Sequence, residues 1–323
     1  MTVGVLNAVS FNSVTGDPFS DVLNLIRAKS VISGSLVAGG AWAIRFPPSG
    51  LTNFWGVARG ECWCLTEAGD APLHLKAGDF LLRTAGEPAV LATDLNATPV
   101  GFEDVLASGS EGRLHLGNGD QFLMVGGKVE LDATHGAALL DSLPPSIHIR
   151  HGSTHATILE CLLAQLMRER TEALPGVASA SAQLAHLMFI QILRAHLDLG
   201  ATLAPGWLRL MGNQRLAPAL RLLHGEPARA WGLDELARAC GMSRATFAVH
   251  FKTNAGTTPL AYLAQWRIRL AERALRDSDD AISSLGYSLG YASESAFSNA
   301  FKRLVGEAPA RYRANARMNA LVR

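Results

Sequence analysis

Two groups of side chains have the types and spacing to do chemistry. Cys62 and Cys64 stand two residues apart, which on a strand puts both thiols on one face, and His74 follows closely. That set offers an oxidant-sensitive or soft-metal site, against the plainer reading of two small residues packing in a core. The thiols are too similarly directed for an easy mutual disulfide, whose Cβ vectors must converge. Trp42, Trp55 and Trp63 with Arg45 supply apolar walls and one placed charge, as a small-molecule pocket needs, although tryptophans equally build cores. The second group is C-terminal: Arg244, Ala245, Thr246, Ala248, Val249 and Lys252, then Ser295, Ser298, Asn299, Lys302 and Arg303. On a helix face such amides, hydroxyls and cations read base edges and grip phosphates.

Catalysis finds no comparable support. There is no Gly-x-Ser-x-Gly elbow, P-loop or dinucleotide fingerprint, and the ten histidines are scattered without ligand spacing. His148 and His151 fall beside the Pro144-Pro145 break and read as part of a loop. No catalytic residue, metal site or cofactor is assigned.

The elements that must position these groups change character along the chain. Short runs bounded by Gly, Pro and Asn (41–46, 53–58, 61–66, 73–76, 80–84 and 90–93, continued by 113–129) read as the strands of a sandwich or barrel. After Pro144-Pro145 the apolar period becomes helical over 154–173 and 180–199, with Pro175-Gly176 as the turn of an antiparallel pair. That pair is either a core of its own or a dimer face. Ala204-Pro205-Gly206 reads as a linker into a wholly helical remainder.

That remainder contains an internal repeat. Leu233–Ser243 precedes Phe247 and Phe251; Ile282–Tyr291 precedes Phe297 and Phe301, so the two Phe pairs lie 50 residues apart. Each copy reads as an apolar helix, a glycine that ends it in the left-handed region, and a second helix opening at a serine cap. This is a helix-turn-helix layout, at about 233–254 and 282–303, with the second helix offered to a major groove. At ~100° per residue, inward Phe247 and Phe251 turn Ala245 and Val249 outward, and inward Phe297 and Phe301 do the same for Ser295 and Asn299. Asn299 can pair with adenine, whereas Ala248 and Val249 offer apolar contact to a thymine methyl. Arg244, Lys252, Lys302 and Arg303 suit phosphates. The helix read over 260–276 is about 25 Å long, enough to hold two reading helices near successive grooves.

The segment from about Leu216 to Arg313 resembles the DNA-binding domain of the AraC/XylS transcription regulators, through Gly290–Phe297, Ala300–Arg303, Gly306 and Pro309–Arg313. Gly60 and Ala77–Leu82 make residues 20–105 similar to a cupin barrel, of the kind fused to that family as a sensor. Cupin enzymes hold a metal with histidines and a carboxylate. Here Trp55 stands where such histidines are expected, and Thr84–Ala89 replaces the Pro-x-Gly-x-x-His motif, which disfavours a cupin-type metal-dependent enzyme with a helical appendage.

Charge follows the same division. Residues 1–206 carry 12 Lys/Arg and 19 Asp/Glu, and residues 207–323 carry 17 and 9, so the C-terminal part alone attracts an anion. No run of ~18 uncharged apolar residues spans a membrane, and the N-terminus does not read as a secretory signal, which implies a cytoplasmic protein with its four cysteines as thiols. The expected fold is α+β: a cupin-like barrel sensor (1–143), a dimerising helical pair (144–204) and an all-α DNA-binding domain (205–323). The expected function is a homodimeric, non-enzymatic transcription regulator. It binds double-stranded promoter DNA, contacts RNA polymerase, and responds to a small-molecule or oxidant effector. A competing reading makes the helix-turn-helix units protein-binding adaptors.

Overall fold

The computed structural model describes residues 17–66, 71–84, 87–109, 112–132, 136–198 and 203–321. The N-terminal segment read for a leader, and Ala85-Gly86 of the replaced cupin motif, lie outside them. In chain order the first elements are α1 (Pro18–Leu25), β1 (Lys29–Gly39), β2 (Ala43–Phe46), β3 (Thr52–Arg59), β4 (Glu61–Thr66), β5 (Leu73–Lys76), β6 (Phe80–Arg83), β7 (Ala89–Ala92) and β8 (Val100–Gly101). Then come α2 (Phe102–Ser108), β9 (Arg113–Gly117), β10 (Phe122–Glu130), α3 (Gly136–Leu140), β11 (Ser146–Ile149), α4 (Thr154–Glu172) and α5 (Val177–Asp198). The remainder is helical: α6 (Trp207–Met211), α7 (Ala217–Gly225), α8 (Leu233–Ala239), α9 (Arg244–Ala255), α10 (Pro259–Asp277), α11 (Ile282–Ser288), α12 (Glu294–Val305) and α13 (Pro309–Leu321).

The chain divides into two compact units. One is 27–199; the other joins the described residues of 1–26 to those of 200–323. The helical pair thus belongs to the strand-rich unit instead of standing between two domains, and α1 belongs to the helical unit.

In the strand-rich unit a six-stranded sheet, β11-β6-β3-β10-β1-β9, and a five-stranded sheet, β5-β4-β7-β2-β8, share a core. Leu36, Trp55 and Met124 meet Ile44, Leu75 and Leu91 there. Alternation along the strands sends Phe54 and Phe80 to the other face of the larger sheet, where both are fully buried. The helical pair covers that face: a Cβ on Gly56 would lie 3.3 Å from the Leu163 side chain, and Leu159, Leu163, Leu166, Met188, Phe189 and Ile192 are all buried. Most of the apolar stripe read as a core or a dimer face is therefore core of this unit, while Ile158 and Leu187 stay exposed.

The tight turn Ala77-Gly78 delivers Asp79 into a polar knot. Its carboxylate accepts the backbone N–H of His151 at 2.7 Å and of Lys76 at 3.0 Å. The His151 and His148 rings approach it at 2.9 and 3.0 Å. His148 is not in a loop: it sits on β11, whose residues 146–149 pair with β6. Burial alone would raise the Asp79 carboxyl, but these hydrogen bonds outweigh it and hold it below the ordinary carboxylate range.

In the helical unit α1 is capped by Asp17, whose side chain accepts the N–H of Phe19 and Ser20. Its Asp21 lies 3.3 Å from Nδ1 of the fully buried His224, and that ring's Nε2 is 2.8 Å from the Tyr262 hydroxyl. Burial pushes His224 down, so the ring is uncharged at neutral pH despite its acidic neighbour.

A carboxyl depressed in the folded state stabilises the fold above its unfolded pKa, and that stabilisation is lost as pH falls through its folded value. Asp79→Asn is therefore expected to lower stability at pH 7 by roughly 1.5–3 kcal/mol, the worth of hydrogen bonds to a charged group, with the deficit shrinking in acid. Denaturant unfolding of both chains across pH 2–7 measures this; a pH-independent deficit would refute the assignment.

Candidate nucleic-acid interface

Both repeats are built from the same parts. The helices α8 and α11 each span 7 residues and end at a glycine in the left-handed region, Gly241 (φ 63°) and Gly290 (φ 82°). The residue after each closes the turn, Met242 N–H donating to the Ala237 carbonyl and Tyr291 N–H to that of Gly286. Ser243 and Ser293 then cap α9 and α12, accepting the N–H of Thr246 and Ala296. Both helices run 12 residues and stop at left-handed Gly256 and Gly306. The turn of the second copy is one residue longer, Tyr291-Ala292 standing where the first has Met242.

Burial fixes which way each helix faces. Phe247, Phe251, Phe297 and Phe301 are all fully buried. Phe251 meets Tyr262 edge-on at 5.8 Å, and Phe301 meets Tyr312 likewise at 5.5 Å. Pro259 with Tyr262 and Pro309 with Tyr312 carry the 50-residue repeat onward. So α10 completes the first core as α13 completes the second, a relation the sequence spacing contains but which was not drawn from it.

The opposite faces are open. On α9, Arg244, Ala245, Thr246, Val249 and Lys252 are exposed and Ala248 is half-buried; on α12, Ser295, Asn299, Lys302 and Arg303 are exposed and Ser298 is half-buried. Val249 leaves 68% of its surface in solvent, so its isopropyl group is open to contact. An open cleft of about 830 Å³ runs beside it, with Ala245, Val249 and Thr253 on one wall and Arg209, Asn213 and Gln214 on the other. Lys252, Lys302 and Arg303 make no ion pair among the described residues, whereas Arg244 lies 3.4 Å from the exposed Asp234 carboxylate. A pair so exposed is worth no more than ~1 kcal/mol and yields readily to a phosphate.

A further device joins the copies. Arg267 on α10 donates to the carbonyls of Pro227 and Arg229 ahead of α8. Its guanidinium also lies 5.7 Å from the centre of the Tyr291 ring. Gly290 abuts the same loop so closely that a Cβ there would sit 2.0 Å from the Ala228 carbonyl oxygen. The turn of the second copy is thus wedged against the first.

In the strand-rich unit the expected groupings separate. Cys62 and Cys64 both point into the shared core, while Trp63 and His74 lie on the other face of the same sheet and stack at 4.2 Å. His74 instead meets Glu61 at 3.3 Å, so a Cys62-Cys64-His74 metal site is corrected: one-residue alternation sends the ring away from both thiols. Burial drives the Cys62 thiol far up and Cys64 up to about 11, which leaves both protonated and poorly nucleophilic. Trp42 packs on Phe122 at 4.9 Å, and Arg45 is exposed on the strand face opposite Ile44. Of the residues expected to line a pocket, Trp55 lines an interior cavity with Arg83 and Lys128, which sequence reasoning missed, whereas Trp42, Trp63 and Arg45 do not line that cavity.

Both parts of the chain are similar to known proteins. A family model described as a cupin matches residues 17–198, and one described as a helix-turn-helix domain matches residues 236–315. A putative AraC-like transcription regulator of Streptomyces antibioticus is 39% identical over 298 residues, covering 92% of this chain and 98% of that one. A putative AraC-like regulator of Streptomyces lividans is 37% identical over 297 residues, with coverage of 92% and 98%. The HTH-type transcriptional regulator AlkR of Acinetobacter baylyi is 32% identical over 246 residues, or 73% of this chain and 79% of its own.

The burial pattern predicts an order of thiol reactivity. Iodoacetamide at pH 8 should label exposed Cys161 first and leave Cys62 and Cys64 unmodified until denaturant is added. Peptide mass spectrometry after timed quenching reads this directly, and early labelling of Cys62 or Cys64 would contradict it.

Proposed function

The chain belongs to the AraC-type transcription regulators, which bind DNA and are not enzymes, and from that premise we propose how this member reads its target. The α9 and α12 faces enter two major grooves of double-stranded promoter DNA on one side of the duplex. The observation that carries this reading is the duplicated construction itself, in which a buried Phe pair, a serine cap and a glycine stop leave matching open faces 50 residues apart.

The faces divide the work. Asn299 pairs with an adenine edge, and Ser295 and Ser298 supply further hydrogen bonds. Ala245, Ala248 and Val249, with Thr246, present a mainly apolar surface to thymine methyl groups, which accounts for the exposure of Val249. Lys252, Lys302, Arg303 and Arg244, the last released from Asp234, hold phosphates and set the salt dependence without reading sequence.

The cupin-like unit senses a small molecule that shifts the balance between states of different promoter occupancy or RNA polymerase contact. An oxidant acting through Cys62 and Cys64 has less support, because both thiols are buried and protonated. The regulator works in the cytoplasm as a homodimer. Ile158 and Leu187, which the helical pair leaves exposed, are the starting point for locating that interface. Among the described residues no helix is long and apolar enough to cross a membrane.

Genome-wide mapping of bound sites followed by footprinting tests the proposal. Two neighbouring grooves on one face should be protected. Asn299→Ala should lose ~1–3 kcal/mol at the adenine position while leaving non-specific binding intact. Lys302→Ala should weaken all sequences alike and reduce the salt slope by about 1. A chain that binds its mapped sites no better than random DNA, or an Asn299→Ala chain with unchanged specificity, would refute this.

A further inference from the structure

We infer that the interior of the strand-rich unit binds a small carboxylate with an apolar body, its anionic end received by Lys128, Asn53 and Arg83. The regulatory meaning of such a site rests on the effector reading above; the binding does not.

Strand register assembles the site. Asn53 on β3 is paired with Lys128 on β10 and with Arg83 on β6. Residues directly opposite in antiparallel strands share a face, so the three stand in one row across the sheet. Two residues further along, Gly126, Trp55 and Leu81 form the next row by the same pairings. Trp55 and Leu81 belong to the core shared by the two sheets, which fixes both rows as inward-facing. The first row is polar and cationic, and the rows behind it are apolar.

A cavity of about 510 Å³ opens along these rows, within the ordinary ~300–1,000 Å³ range of small-molecule sites. Its apolar wall includes Trp55, Phe46, Phe102, Leu114 and Met124. The rings cluster, Phe46 lying 5.0 Å from Trp55 and 5.1 Å from Phe102. Gly126 adds no side chain to this space, and a Cβ there would already touch Trp55 at 3.4 Å. Lys128 and Arg83 line the cavity, and among the described residues no Asp or Glu does.

Each cation already feels a carboxylate, Glu87 for Arg83 and Glu130 for Lys128, but both carboxylates are exposed to solvent. Arg83 is 7% exposed, with its guanidinium 5.4 Å from the centre of the Trp55 ring and one donor given to the Glu87 carbonyl. Lys128 lies 3.4 Å from Glu130, and both side chains are more than a third exposed. An ion pair that open is weak and can exchange for a better-placed anion. The Asn53 amide donates to the Leu51 carbonyl, leaving its own carbonyl oxygen and a second amide hydrogen. A planar guanidinium fork and an ammonium in one row, with the Asn53 amide between them, suit a carboxylate, and the apolar rows behind accept a body on the order of 10–15 non-hydrogen atoms.

The test titrates the full chain by calorimetry with 1-naphthoate, decanoate and phenylbutyrate, each beside the alcohol of the same skeleton. At least one carboxylate should bind saturably and at least tenfold tighter than its alcohol. Arg83→Gln and Lys128→Gln should each weaken that acid at least fivefold and leave the alcohol unchanged. Lys128 is partly exposed, so its variant keeps the test decisive if Arg83→Gln unfolds. Failure of every acid to bind, equal binding of acid and alcohol, or an unaltered Lys128→Gln chain would overturn the proposal. DNA affinity measured with and without the bound acid separates the two readings. Charge-dependent binding that leaves DNA affinity unmoved upholds the site and refutes effector coupling through it. No binding by any acid refutes the site while leaving the DNA-binding reading intact.

Discussion

Everything proposed for the helical unit depends on two phenylalanines spaced one helical turn apart. With Phe247 and Phe251 sealed in one small core, and Phe297 and Phe301 in another, α9 and α12 have no rotational freedom about their axes. Burying each ring contributes about 2–3 kcal/mol, large against the net stability of a domain this size. The same interaction that holds the unit together therefore decides which side chains are presented. Caps and glycine stops set where each helix begins and ends, and Tyr262 and Tyr312 close the cores from α10 and α13.

The strand-rich unit uses a different constraint, the period of two along a strand. One-residue alternation sends Phe54 and Phe80 toward the helical pair and Trp55 and Leu81 toward the other sheet. It also parts His74 from the two thiols and sets the cationic row in line with the aromatic one. The knot around Asp79 joins the β5–β6 turn to β11 and the entry to α4, so the sheet and its helical cover share one polar anchor.

Much of this was legible in the amino-acid order, and what was not has identifiable causes. The outward faces of α9 and α12 could be read because a buried pair at i and i+4 fixes the angle of every neighbour. The strands β4 and β5 were readable to the residue, being compact runs between turn formers. β1 was not among the strands read: Ser33, Gly34 and Ser35 interrupt its apolar alternation, and the pairing with β10 slips between Ile32 and Gly34. β11 was taken for loop because four residues after a Pro-Pro break carry little pattern, and its partner β6 lies more than 60 residues away. The cavity was misassigned for a related reason. Trp42, Trp63 and Arg45 have suitable chemistry but the wrong parity or depth, whereas Asn53, Arg83 and Lys128 meet only through the pairing of three strands distant in sequence.

The wedge of Gly290 against the Ala228 carbonyl, lashed by Arg267, bears on how such regulators diversify. Two reading units joined by a free rod could be exchanged like beads, each bringing its own preference into a new chain. Here the turn of one is moulded to the loop of the other, so a graft of 282–303 alone would arrive without its matching seat. Functional hybrids must inherit the 227–229 loop, the whole of α10 and the second unit as one block. New binding preferences then arise more readily by exchanging side chains on the open faces than by shuffling modules.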